Sequence, residues 1–178
     1  MTSRGETKQI RARVLAPLAI LGVVPAILVG GSAVAGGKSV GGVVHVYEVD
    51  PSLTSPVGNI ILTGAIADHG KDHEGVAGNG RFNKLVLTKG TFEVNVSKLN
   101  SGGPLNPTTC TFAGTVTGPV PVVAGSGTGA YRGLRGTTTA TVTTAGVLSR
   151  LASGKCNRKA APVAGFAWVK ASGKVSFQ

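Results

Sequence analysis

The chain has 178 residues, 18 Lys and Arg against 7 Asp and Glu, and a formal net charge of +11. That length bounds it to a single domain, and so few carboxylates leave acid–base catalysis poorly supplied. Its two cysteines exclude a disulfide-dense scaffold and cannot build a zinc site alone.

Residues 1–35 read as a Sec-type signal peptide. Arg4, Lys8, Arg11 and Arg13 form a basic start, 14–29 is an apolar run, and Ala33, Val34 and Ala35 offer the small residues a signal peptidase needs. The alternative is a retained membrane anchor, opposed by the shortness of the run and by Pro17 and Pro25. Cleavage after Ala35 implies a secreted or envelope-associated protein with a flexible leader over 36–42 and one domain over 43–178. That mature part carries fourteen Lys and Arg against six Asp and Glu, a formal charge of +8, with no acid after Glu93. The balance suits anionic envelope material as a partner, or simply a solvated surface; without a tight basic cluster no specific nucleic-acid partner is expected.

The run 43–49, VVHVYEV, alternates with period two and predicts a strand that ends at Asp50-Pro51. A loop over 52–58 and a second strand over 59–67 follow, with a bend or bulge at Gly64. Residues 68–80, DHGKDHEGVAGNG, are the most polar segment and read as a loop. Asp68, His69, Asp72, His73 and Glu74 could gather a metal, with His69, His73 and Asp72 the first candidates, but glycines at 70, 75, 78 and 80 oppose the helix that would align the two rings, so no metal is expected.

Residues 81–88 and 91–97 flank Lys89-Gly90 as a hairpin, with Phe92, Val94 and Val96 on its buried face. After a loop over 100–107, the segment 109–117 predicts a strand bearing Cys110 and Phe112. Pro119 and Pro121 place 120–124 at a sheet edge or an irregular spot, because proline cannot donate to a ladder. Residues 146–162 read as loop, and 165–171 and 173–177 as two last strands. Cys110 and Cys156, the only cysteines of an exported chain, predict one disulfide across 46 residues. Eight or nine short strands and no amphipathic helix make an all-β sandwich or barrel.

The stretch 125–144, GSGTGAYRGLRGTTTATVTT, joins a glycine-dense turn (Gly125, Gly127, Gly129, Gly133, Gly136) to a β-branched strand starting at Thr137. Gly125, Gly127 and Ala130 match a dinucleotide fingerprint, yet a strand follows where a helix is required and no downstream acid could meet a ribose. The segment instead resembles the glycine-rich turn and following strand of the allene oxide cyclase barrel and dirigent-like superfamily, through Gly127, Thr128, Gly129, Tyr131 and Gly136. About twenty residues carry the resemblance. It implies an eight-stranded antiparallel β-barrel and cofactor-free chemistry by enclosure, in which a shaped apolar pocket steers a reactive molecule.

If such a pocket operates, Tyr131, Arg132 and Arg135 are the first candidates for its polar rim, followed by His45, Tyr47 and Glu48. Arg132 and Arg135 can equally be outward-facing strand residues. The mature aromatic residues either line a cavity or fill the core. No G-x-S-x-G elbow or triad is present. Two readings of function remain: a binding barrel without catalysis, holding a small apolar molecule or contacting envelope material, and a cyclase-like or dirigent-like stereochemical guide.

Overall fold

The computed structural model describes residues 41–55, 57–76, 80–99 and 102–178. The expected signal peptide and nearly all of the leader lie outside the described residues. Period-two sequences build nine strands, β1 (Gly42–Asp50), β2 (Val57–Gly64), β3 (Asp68–Val76), β4 (Phe82–Leu87), β5 (Gly90–Asn95), β6 (Leu105–Asn106), β7 (Thr111–Pro121), β8 (Leu134–Val147) and β9 (Ala164–Phe177). They form one curled antiparallel sheet, a half-barrel, in the order β5-β4-β3-β2-β1-β9-β8-β7-β6. Two meanders therefore meet where the first strand pairs with the last, and β8 and β9 stay in register from Leu134–Phe177 to Val147–Ala164.

Alternation decides what the curl encloses. On β1, Val44, Glu48 and Asp50 are buried and Val46 is half-buried, while Val43, His45, Tyr47 and Val49 are exposed. On β8 the even positions Leu134, Thr138, Ala140, Val142 and Thr144 are buried. Val44, Ile60, Leu62, Leu85 and Phe92 join Tyr131 and Leu134 in the main apolar cluster.

Two expectations are corrected by the sheet. Residues 68–76 are not a loop but the strand β3, because β2 and β4 take up its backbone on both sides and its acids and bases alternate between the faces. The chain's end is one strand, β9, and not two. Gly173 does not interrupt it; a Cβ there would sit 2.2 Å from the Thr137 carbonyl oxygen, so glycine permits the close approach of β8.

The prolines behave as edge residues inside a longer strand than expected. Pro119 and Pro121 belong to β7, opposite Thr139 and Thr137 of β8. The Val122 N–H donates to Gly136 on the β8 side and the Val123 N–H to Glu93 on the β5 side, so by alternation the two proline nitrogens face β5. Those missing donors leave the seam between β5 and β7 joined by the Val94–Val122 bridge.

The glycine turn that follows closes one end of the curl. Gly129 to Tyr131 form a 3-10 turn, and Gly129 takes a φ of 57° with no room for a Cβ against the Lys89 carbonyl. Asp68 ties this turn to two others. Its carboxylate accepts from the Tyr131 hydroxyl at 2.5 Å, from the Thr88 hydroxyl, and from the Lys89 N–H at 3.0 Å. Burial alone would raise the Asp68 pKa, but these donors and the His69 N–H hold it well below the usual carboxylate range. The Tyr131 ring packs edge-on against Phe92 at 5.2 Å. Changing Tyr131 to Phe removes one donor to a charged acceptor and is expected to cost about 1.5–3 kcal/mol, read by urea denaturation. An unchanged midpoint would show that the staple contributes nothing.

Cys110 and Cys156 form the expected disulfide, with Cα atoms 5.4 Å apart, holding the segment after β8 to the start of β7. The loop-entropy model gives such a closure about 3–4 kcal/mol. Verified reduction is therefore expected to lower the melting temperature, and an unaltered melt would contradict that contribution.

Candidate functional site

The curl encloses a cavity of about 620 Å³. Its walls are mostly aliphatic, with Val46, Leu62, Val142 and Val169 among them, and Phe92 from the β4–β5 hairpin. At one end lies the floor of Tyr131, Leu134 and Ile66 just described. At the other, the cavity is bordered by connections that contribute Ser52, Leu53, Gly80 and Gly102.

A group of carboxyls sits toward that second end. The inward row of β1 runs Val44, Val46, Glu48, Asp50, so the strand changes from apolar to acidic along its own length. Gly58 on β2 pairs with Asp72 on β3. Glu48 is 6% exposed and Asp50 and Asp72 each 3%. A Cβ on Gly58 would lie 2.0 Å from Asp50 Oδ1 and 2.6 Å from Glu48 Oε1, so the bare glycine is what leaves space for both side chains. Asn83 donates its amide N–H to Asp72 Oδ2 at 2.8 Å. Among the described residues no hydrogen-bond partner reaches the buried Asp50 Oδ1, Asp72 Oδ1 or Thr144 Oγ1. Thr144 belongs to the same girdle: it pairs with Ala167, and Ala167 with Asp50.

Glu48 lies within hydrogen-bonding reach of both aspartates. Two carboxylates cannot bond to each other, so one of the groups must carry a proton. Glu48 is that group: burial first, then the charges of Asp72 and Asp50, push its pKa up to about 10. Burial and the charge of Asp72 push Asp50 up to about 6, against a partly compensating hydrogen bond from Glu48. Asp72 is also raised, by burial above all, although its bonds to Asn83 and Glu48 oppose the rise. Glu74, further along β3, is raised by burial and by Asp50.

The sequence-predicted rim is only partly assembled here. Glu48 lines the cavity. His45 and Tyr47 do not, since their odd positions on β1 turn them to the exposed outer face, Tyr47 beside Ile61 of β2. Tyr131 is buried in the floor with its hydroxyl committed to Asp68. Arg132 and Arg135 are exposed, which matches the outward-facing alternative. His69 is exposed and Asp72 buried, so the strand geometry of β3 separates the members of the suggested metal group. Among the described residues no set of three or more His, Cys, Asp or Glu is arranged to hold a metal ion.

Asp50, Asn83, Thr144 and Gly58 escaped the sequence reading. For Asp50 a signal existed: it continues the even, inward parity of Val44, Val46 and Glu48, although its place before Pro51 marks it as a terminator.

Carboxyls whose pKa is raised on folding stabilise the native state below their unfolded pKa, and that stability is lost as pH rises through the folded value. For this cluster the loss begins above about pH 4, passes the Asp50 value of about 6 and continues toward the Glu48 value of about 10. Changing Glu48 to Gln keeps a donor toward Asp72 without any proton uptake. It is expected to raise the melting temperature at neutral and alkaline pH by roughly 4 °C or more and to flatten the decline. A lower melting temperature with an unchanged slope would contradict the assignment of the proton to Glu48. Comparison of the chain with protein-family models, with curated proteins and with solved structures finds no match.

Proposed function

We propose that the protein is a secreted β-barrel of the allene oxide cyclase and dirigent-like type that holds a small apolar molecule in its interior without transforming it. The observation that carries this reading is the cavity of about 620 Å³ with aliphatic walls, a volume within the range that encloses a drug-sized molecule. In this reading β1 to β5 and β7 to β9 are the eight staves, the Val94–Val122 bridge is the closing contact, and β6 is a two-residue addition to the edge of β7. Export rests on the signal peptide expected in residues 1–35. Contact with anionic envelope material is a second partner in the same reading, through exposed bases such as Arg132, Arg135 and Lys155.

A specific observation favours the stereochemical-guide reading as runner-up. Glu48 keeps a proton inside a cavity whose walls are mostly aliphatic, and such a group can protonate a reactive molecule held against it. Turnover of a co-purifying molecule would separate the two readings.

The test uses N-phenylnaphthylamine, an uncharged probe that fluoresces on leaving water, together with native mass spectrometry of protein purified from its own culture medium. The purified full chain is expected to bind the probe, and replacement of Val169 by Trp, which puts a large ring into the cavity, is expected to weaken binding by roughly tenfold or more, about 1.4 kcal/mol. No probe binding and no co-purifying molecule would overturn the interior-ligand reading.

A further inference from the structure

We infer that the molecule held in the cavity is an organic cation, an amine with an apolar body, whose ammonium group is taken by Asp50 and Asp72. This rests on the interior-ligand reading above and names the ligand class for it. Both aspartates line the cavity, both are 3% exposed, and each has an Oδ1 atom with no hydrogen-bond partner among the described residues beyond the single proton of Glu48, which can serve only one of them. A buried acceptor without a donor costs about 1–3 kcal/mol, and more when it is charged. Such atoms are unfavourable in an empty cavity and favourable in one filled by a group that only donates.

An ammonium group is such a donor: it offers N–H bonds, accepts none, and brings the charge that the carboxyls lack. The strongest charged neighbours of Glu48, Asp50 and Asp72 are one another, Glu74 on the same side, and His73, which acts on Asp72. A bare metal ion is a poorer fit, since no metal-holding group occurs among the described residues. The remaining wall matches the rest of the ligand, because Val46, Leu62, Val142 and Val169 offer only apolar surface. Thr144, whose hydroxyl is also without a partner, stands one strand from Ala167 in the same girdle and can accept a further N–H.

Binding of a cation also favours the ionised carboxyls and so releases protons. Amine affinity is therefore expected to rise with pH through the Asp50 value of about 6. The groups that face this titration are Glu48, Asp72, Glu74 and His73, and of these Glu48 keeps its own proton well above neutrality.

The experiment is competition against the uncharged probe, with naphthalenemethylamine set against naphthalenemethanol, which has the same ring and no charge. At about pH 7.5 the amine is expected to displace the probe at a concentration roughly tenfold or more below that of the alcohol, and the margin is expected to shrink at about pH 5. Asp50→Asn and Asp72→Asn are each expected to remove the margin, while retained probe binding shows that the variant is folded and the cavity intact. Equal displacement by amine and alcohol, with the probe still bound, would overturn the amine inference and leave the interior-ligand reading standing. Failure of the wild-type chain to bind the probe would overturn both.

Discussion

Three carboxyl groups buried within reach of one another set the terms for this half of the molecule. Desolvation of a charge inside a protein is expensive, and like charges side by side make it more so. The chain meets that cost by keeping a proton on Glu48, by the Asn83 bond to Asp72, and by the missing side chain at Gly58. Beyond that one proton, Asp50 Oδ1 and Asp72 Oδ1 have no donor among the described residues. A fold selected only for stability would replace such a group with aliphatic residues of similar volume. The contrast with Asp68 makes the point: also buried, it collects donors from the Thr88-Lys89 turn and from Tyr131 of the glycine turn, and titrates low. One acid is a structural staple and the others face open volume.

The cavity exists because the sheet curls without filling its own interior. Inward positions on β7, β8 and β9 are small along much of their length, as with Gly114, Ala140, Ala167 and Ala171, and so cannot meet across the middle. At the floor the larger Leu134, Ile66 and Tyr131 do meet, and the glycine turn lets that end pack tightly. On the wall just above that floor, the proline nitrogens of β7 keep the seam with β5 from zipping through backbone bonds. The looser end is the opposite one, bordered by the connections that contribute Ser52, Leu53, Gly80 and Gly102.

Much of this was legible before any coordinates, and the reasons for the rest are physical. Strands β1, β4, β5 and β8 announced themselves by alternation or by β-branched runs, and the hairpin at Lys89-Gly90 by its glycine. β3 did not, because DHGKDHEG contains no apolar residue to alternate; its inward acids look like solvated loop residues until β2 and β4 are seen on either side. The last strand was read as two, parted at Ser172, because the close packing of Gly173 against β8 that carries the strand through is invisible in one dimension. The candidate rim mixed His45 and Tyr47 with Glu48, although strand parity alone puts them on opposite faces. Tyr131 was expected on the polar rim of the pocket; it is buried instead, its hydroxyl holding the floor through Asp68.

In the proposed reading the distribution of charge makes the cavity selective. Residues 36–178 carry a surplus of bases, yet four of their six acids, Glu48, Asp50, Asp68 and Asp72, are buried. A basic exterior repels small cations at long range, most strongly at low salt. Only a cation that also gains from burying an apolar body in the aliphatic wall has reason to pass inside. Anionic amphiphiles meet the opposite pattern: they are drawn to the surface and then rejected by the carboxyl girdle. A neutral apolar molecule gains the wall but leaves Asp50 and Asp72 without donors. The carboxyl girdle and the aliphatic wall therefore ask two separate things of a ligand, and in the proposed reading an amine with a hydrocarbon or aromatic body satisfies both against the repulsion of the basic exterior.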